Sequence, residues 1–263
     1  MHARLSSLAF PAGRIFADNA LLPAWLRETA AFAHRGLWGR RDLGLGREQA
    51  CRVLDLFFGG QRRRWFQPFY HRDYRDTYFA PELAGGLYLK HYLVDRAPSR
   101  IRRRNLLRRT LALKGMCLHY PLRAKGVPSV RPLLCAWREG LPVAREAVLV
   151  CRAEPCHQTL AQVMGSSLDP RGKLSLAREA GRFLAMLHRR RVWHGELPTN
   201  LLACPQAGGW RLVLCDLDEM RSISGDSPRH RRRYLADVVR TLERRAPETV
   251  QPFLQAYRQA FGA

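Results

Sequence analysis

Two short stretches hold the residues best suited to chemistry. Residues 192–202 read Val-Trp-His-Gly-Glu-Leu-Pro-Thr-Asn-Leu-Leu, and residues 211–218 read Arg-Leu-Val-Leu-Cys-Asp-Leu-Asp. Phosphoryl transfer asks little covalent work of a protein. It needs a carboxylate to meet the attacking hydroxyl, oxygen ligands to hold Mg²⁺ against the phosphates, and positive charge around both. Glu196 is the candidate for that carboxylate, and Asn200 and Asp216 are candidate metal ligands. His194 shares the turn with Glu196, where hydrogen bonding to the loop suits it better than proton transfer. The plainer alternative is that His194, Glu196 and Asn200 form a polar turn capping a helix; taken singly, these residues leave both readings open.

The elements that would position these groups are readable from periodicity. Trp210, Leu212 and Leu214 alternate with Arg211 and Val213 as in a half-buried strand, which would deliver Asp216 just past its end. Asp218, two residues on, would point the same way if the extended conformation continued. Upstream, Gly85 and Gly86 predict a turn and Leu87–Leu89 a strand that carries Lys90, a candidate to contact phosphates. The run from Ala147 to Pro155 is an apolar strand entering a polar linker. That suits a hinge in which the backbone of Val150, Cys151 and Arg152 could meet an adenine edge, although an ordinary buried strand reads the same way. From Lys173 to His188, Leu176, Ala177, Ala180, Phe183, Leu184 and Leu187 share one helical face, which predicts a core helix leading directly into the 192–200 turn.

In this order, Thr77-Tyr78-Phe79, Tyr88-Leu89-Lys90, Arg104-Asn105-Leu106-Leu107, Gly126 to Leu133, the hinge, Leu187 to Glu196 and Cys215 to Arg221 resemble the bacterial lipopolysaccharide core kinases of the Kdo/WaaP family. The resemblance spans roughly residues 74–245. It implies an α+β, bilobal, protein-kinase-like fold with a small antiparallel β-sheet lobe and a larger helical lobe around an ATP cleft. On that reading residues 1–73 form an N-terminal extension and the start of the small lobe, 74–152 the N-lobe, and 153–263 the helical C-lobe. It further implies Mg²⁺-dependent transfer from ATP to a sugar hydroxyl of the lipopolysaccharide inner core, Kdo or heptose. Carried over by position, Lys90 would contact the phosphates, Glu196 would take the catalytic acid position, and Asn200 and Asp216 would hold metal.

The chain departs from the kinase pattern in four places. The catalytic position is Glu196 rather than Asp, and only Leu197, Pro198 and Thr199 separate it from Asn200, one residue fewer than in protein kinases. Pro198 and Thr199 themselves stand where larger polar residues are expected. From Leu83 to Arg138 the only acidic residue is Asp95, so no helix there offers a Glu to pair with Lys90. No G-x-G-x-x-G stretch precedes Lys90. These departures keep open a non-catalytic nucleotide- or lipid-binding module, and the shared cleft keeps open an aminoglycoside-type small-molecule kinase.

Lys and Arg number 45 against 22 Asp and Glu, a formal charge of +23. Most of the basic residues are Arg, which grips phosphate bidentately, and they cluster at Arg62–Arg64, Arg100–Arg109, Arg189–Arg191 and Arg231–Arg233. Such a surface predicts an anionic partner: the lipopolysaccharide core or another anionic glycolipid, with peripheral contact to an anionic membrane. Nucleic acid ranks below these, since no recognition motif accompanies the charge. A total of 7 cysteines without a C-x-x-C pair argues against a disulfide framework and a structural zinc site. No apolar run approaches the roughly 20 residues that span a bilayer. The expected location is the cytoplasm, peripheral to the inner face of the inner membrane. Amphipathic helices are further expected at Leu21–Leu26, at Arg47–Phe58 ending before Gly59-Gly60, and around Tyr234–Leu242 and Phe253–Phe261. Asp237 is expected as a surface or capping carboxylate.

Overall fold

A computed structural model describes residues 5–10, 13–18, 38–39, 47–58, 62–72, 74–93, 111–139, 144–194, 196–220 and 228–262. The expected helix at Leu21–Leu26 and the arginine run at 100–109 lie outside these residues. The chain divides into two compact units, residues 1–117 with 131–153, and residues 118–130 with 154–263.

The first unit is built on an antiparallel sheet. After a hairpin of β1 (Leu5–Phe10) and β2 (Gly13–Asp18), the six-stranded sheet takes β3 (Trp38–Gly39), β4 (Gln67–Arg72), β5 (Arg75–Ala80), β6 (Leu87–Leu93), β7 (Pro132–Glu139) and β8 (Ala144–Arg152). Their order across the sheet is β3-β7-β8-β6-β5-β4. Helix α1 (Arg47–Phe58) forms as its apolar periodicity predicts and buries Val53, Leu54 and Phe57 against Ala80, Leu87, Leu89, Val148 and Val150. The one-turn helix α2 (Arg62–Trp65) follows, and Phe66 closes the same core. On that core face the His91 ring lies between charged groups, with Nε2 2.7 Å from a Glu146 carboxylate oxygen and Nδ1 accepting from the Arg62 guanidinium at 3.2 Å. Alternation along β6 follows from the pleat: Leu87, Leu89 and His91 face this core, and Tyr88 and Lys90 the opposite side.

Helix α3 (Leu111–Ala124) runs from the first unit into the second. Residues 118–130, expected with the sheet, pack instead with the second unit. Leu122 and Val127 are buried in its core, the His119 ring meets the Ser129 hydroxyl at 3.1 Å, and the Val130 N–H donates to the Leu214 carbonyl at 2.8 Å.

The second unit is helical around one hairpin. It contains α4 (Leu160–Met164), α5 (Pro170–Arg189), β9 (Leu201–Gln206), β10 (Gly209–Leu214), α6 (Pro228–Arg245) and α7 (Val250–Phe261). Helix α4 starts in a capping box, with Thr159 and Gln162 satisfying one another's amides, and α5 starts with Asp169 accepting from the Gly172 N–H. All six residues read as the core face of α5 are buried, together with Val238 and Leu242 of α6 and Phe253 and Tyr257 of α7. Helices α5 and α7 approach closely at Gly181, where a Cβ would stand 2.4 Å from the Phe253 carbonyl oxygen. Asp237 sits mid-helix and pairs with Arg240, a surface role rather than a cap. Among the described residues, no helix is long and apolar enough to cross a membrane.

Strand β10 differs from the half-buried strand expected. Leu212, Val213 and Leu214 are all buried, because β10 is flanked by 128–130 on one side and β9 on the other, and β9 meets residues 158–159 in turn. Val213 faces a small second core of Cys156, Leu202 and Cys204. Here the cysteine reading needs correction. Cys156 and Cys204 form a disulfide, which the absence of a C-x-x-C pair did not suggest because the two are 48 residues apart in sequence. Cys135 and Cys151 are buried and Cys215 is half-buried.

Candidate active site

The turn that carries Glu196 begins with the way α5 stops. Arg191 N–H donates to the His188 carbonyl at 3.0 Å and Val192 N–H to the Leu187 carbonyl at 2.9 Å, the paired bonds of a Schellman motif. Arg191 occupies the left-handed position at φ 55° that glycine ordinarily takes. Val192, Trp193 and His194 then run inward and are buried. Trp193 stacks on Tyr234 with ring centroids 5.6 Å apart, and His188 Nδ1 lies 2.8 Å from the Tyr257 hydroxyl.

His194 Nε2 donates to the Cys215 carbonyl at 3.0 Å and approaches the Asp216 carbonyl at 3.3 Å. This is the loop-supporting role expected of it: its Nε2 proton is used to hold backbone, and the ring is 2% exposed. A second clamp acts from the hairpin. Cys215 N–H donates to the Asn200 carbonyl at 2.9 Å, extending by one step the pairing of Leu201 with Leu214. Asn200 and Asp216 are therefore fixed at the same end of one hairpin, although 16 positions apart in sequence.

Asp216 itself is left-handed, at φ 58° and ψ 46°, and starts a 3-10 turn over Leu217–Glu219. That backbone reversal removes the premise on which Asp218 was placed beside Asp216. The extended conformation does not continue, and Asp218 is 2% exposed. Glu196 is exposed and precedes the 3-10 turn Leu197–Thr199 without capping it by its side chain, contrary to the polar-cap alternative. Its carbonyl accepts from the Asn200 N–H at 3.1 Å and from the Thr199 hydroxyl at 3.0 Å. The shortened turn is thus closed by its own backbone, with Pro198 pre-set for its first residues.

Mg²⁺ takes hard oxygen ligands, and a nucleotide site commonly needs only one or two from the protein, the phosphates and water supplying the rest. The Asn200 side chain meets this description. Its Nδ2 is buried and has no hydrogen-bond partner among the described residues. Since the amide's two ends are interchangeable by rotation, it could instead present its oxygen to a cation there. With the half-buried Asp216 carboxylate, the donor set fits. Among the described residues, no group of three or more His, Cys, Asp or Glu forms a larger metal cluster.

In the first unit, Lys90 is half-buried on β6, paired across the sheet with Thr77 and Leu149. The hinge expectation for Val150, Cys151 and Arg152 changes. Strand β8 lies between β7 and β6, and the Arg152 N–H donates to the Arg131 carbonyl at 2.9 Å. Even the next amide, Ala153, is taken by the Gly86 carbonyl at 3.0 Å. The 152 and 153 amides are therefore spent within the unit rather than offered to a base. What the sequence reading passed over is the side of the sheet that Lys90 shares. Pairing places Tyr88, Phe79 and Thr77 on that side, and a β-bulge between Pro68 and Tyr70 adds both Phe69 and Tyr70.

The α+β architecture and a hairpin that holds an Asn and an Asp together define a protein-kinase-like class. The model of the lipopolysaccharide kinase (Kdo/WaaP) family matches residues 62–257, well over half of the chain, and the protein belongs to that family. A solved structure described as WaaP in complex with acyl carrier protein is similar over 76% of this chain and 86% of that one, with a TM-score of 0.52 and 17% identity. At that identity the likeness speaks to the fold. No curated protein matches the chain significantly.

Proposed function

We propose that the protein transfers the γ-phosphoryl group of ATP to a sugar hydroxyl, Kdo or heptose, of the lipopolysaccharide inner core, with Mg²⁺ as the metal. The observation that carries this reading is the double clamp on the hairpin end, His194 to the Cys215 carbonyl and Cys215 to the Asn200 carbonyl. A merely structural hairpin has no need to pin a left-handed Asp beside a buried Asn with an unused amide end. Asn200 and Asp216 would hold the metal, which when bound neutralises phosphate charge. Lys90 neutralises further phosphate charge, and the Glu196 carboxylate orients the acceptor hydroxyl or takes its proton. Arginines exposed on α6, among them Arg229, Arg232 and Arg233, suit an acceptor rich in phosphate and carboxylate. Such an acceptor, made at the inner face of the inner membrane, puts the enzyme in the cytoplasm and peripheral to that membrane.

The test is transfer of radiolabelled phosphate from Mg-ATP to purified core oligosaccharides ending in Kdo or in heptose. Label on one of them, lost in Asp216→Asn and Lys90→Met, supports the reading, while Glu196→Gln reports on the base. Nucleotide binding without transfer to either sugar would sink it in favour of a non-catalytic module. Transfer to a cationic aminoglycoside instead would move the acceptor class.

A further inference from the structure

One end of the second unit concentrates positive charge that the hairpin chemistry does not use. Helices α5 and α7 finish there and α6 starts there. His188 near the end of α5 meets the Tyr257 hydroxyl of α7 at 2.8 Å, Trp193 stacks on Tyr234 of α6 at 5.6 Å, and the Arg231 guanidinium of α6 lies 5.1 Å from the ring centroid of Phe261 at the end of α7. The loop after α3 joins them: Lys125 Nζ donates to the Arg190 carbonyl at 2.6 Å, and the Arg190 guanidinium donates to the Gly126 carbonyl at 2.6 Å. Two arginine runs far apart in sequence, 189–191 and 231–233, are thereby brought to one place. Arg123, Arg189, Arg191, Arg232, Arg233 and Arg258 are exposed there. The segments that build this end, 118–131, 180–194, 228–236 and 250–262, contain no Asp or Glu. Such crowding works against the fold. Helix α6 opens Pro-Arg-His-Arg-Arg-Arg with no acidic residue in its first turn, although a helix N-terminus favours negative charge. Burial, and then the Arg191 guanidinium, hold the Lys125 ammonium below the usual lysine range. A local arrangement that opposes stability points to an anion from outside the chain.

We propose that this end, where α5 and α7 finish and α6 starts, is the face by which the protein docks on a bilayer of anionic lipids, its arginines bonding the headgroup phosphates. This deepens the peripheral attachment proposed above and rests on that part of the reading; the phosphotransfer chemistry is independent of it. The build of the face favours a lipid surface over nucleic acid. Its aromatic rings, Trp193, Tyr234 and Tyr257, are buried against one another and offer no platform on which bases could stack. A charged bilayer asks only for cations spread over a surface, and guanidinium groups suit its phosphates bidentately.

The experiment is co-sedimentation of the full chain with vesicles of two parts phosphatidylcholine to one part phosphatidylglycerol, and with vesicles of phosphatidylcholine alone. The native protein binds the first and not the second, and binding fades as salt shortens the screening length from about 10 Å near 0.1 M to about 3 Å near 1 M. Each arginine close to such a surface contributes about fivefold to affinity. Arg123→Glu/Arg189→Glu/Arg258→Glu therefore lowers partitioning at least about 100-fold, and the milder Arg189→Gln/Arg258→Gln about 25-fold. Arg171→Glu/Arg178→Glu/Arg244→Glu makes the same change of charge toward the other end, where α5 begins and α6 finishes, and lowers partitioning by less than about tenfold. Transfer to soluble core oligosaccharide is unchanged in all three. Equal losses in the two triple variants would show net charge alone at work and overturn the proposal. So would transfer that falls in step with lipid binding, which would give the face to the acceptor, or loss of a single-stranded oligonucleotide with vesicle binding intact, which would give it to nucleic acid. Variants of this face that partition like the native chain would overturn it and leave attachment through another face standing, whereas a native chain that ignores both vesicles would end the peripheral reading and the proposal together.

Discussion

The left-handed backbone at Asp216 separates stability from activity in one series of substitutions. An L-residue in this conformation loses on the order of 1 kcal/mol relative to its usual regions, and Asn and Asp lose less because their short polar side chains bond locally. At φ 58° and ψ 46°, Asp216→Asn should leave unfolding free energy within about 0.5 kcal/mol of native. Asp216→Ala keeps the strain without the local bonding and should fall by about 1 kcal/mol. Asp216→Gly removes the steric conflict and should recover most of that loss, its gain offset in part by the freer unfolded chain. All three remove the carboxylate, so transfer should drop on the order of 100-fold or more in each, as for other groups that organise transition-state charge. Urea denaturation followed by tryptophan fluorescence gives the stabilities, and labelled phosphate transfer gives the rates. An Asn variant that transfers at the native rate would show that Asp216 is not a metal ligand. An Ala variant as stable as the Gly variant would show that the left-handed turn is absent in solution.

Further outcomes follow from contacts elsewhere. His194→Ala removes the Nε2 donor to the carbonyl of half-buried Cys215 and should cost about 1–3 kcal/mol and reduce transfer together, with the pH profile of kcat/KM unmoved; His194→Gln, which keeps a donor, should restore part of both. A moved pH profile would instead mark His194 as a proton carrier. Gly181→Ala should destabilise by about 1–3 kcal/mol in thermal unfolding despite the better helix propensity of Ala, because its Cβ meets the Phe253 carbonyl and the Tyr257 amide. Unchanged stability would refute the close α5–α7 approach. The Cys156–Cys204 bond closes a span of 48 residues, so reduction, or Cys156→Ser/Cys204→Ser, should lower stability by up to about 4 kcal/mol on chain entropy. A denaturation midpoint indifferent to dithiothreitol would show the thiols to be unlinked.

Much of this architecture was written in periodicity. The buried face of α5, helix α1 ending ahead of Gly59, the Gly85-Gly86 turn and the strand bearing Lys90 depend on local pattern, and each is where its spacing predicts. Of the candidate site, sequence suggested only that His194 would support its loop by hydrogen bonding; that its partners are the carbonyls of Cys215 and Asp216 was not legible. What escaped depends on neighbours that are distant in sequence. The burial of Val213 comes from segments at 128–130 and 158–159, the occupied amide of Arg152 from Arg131, and the Cys156–Cys204 pairing from β9. Arg191 in a glycine's position, the reversal at Asp216 and the bulge at Phe69 are backbone choices that residue type alone disfavours or does not announce.

The hairpin of β9 and β10 also acts as a ruler. Asn200 and Cys215 form the first step beyond its paired ends, so their separation in space is set by register and not by the number of residues between them. The far end turns at Ala207-Gly208, where glycine φ is 88° and nothing crowds the loop. Lengthening both arms there by equal amounts leaves Asn200 and Cys215 where they are, whereas one extra residue in a single arm turns every later side chain to the wrong side. Relatives of this chain are thus free to drift in the length of the hairpin by matched pairs, and a sequence comparison that counts residues between the Asn and the Asp will misjudge which of them keep the site.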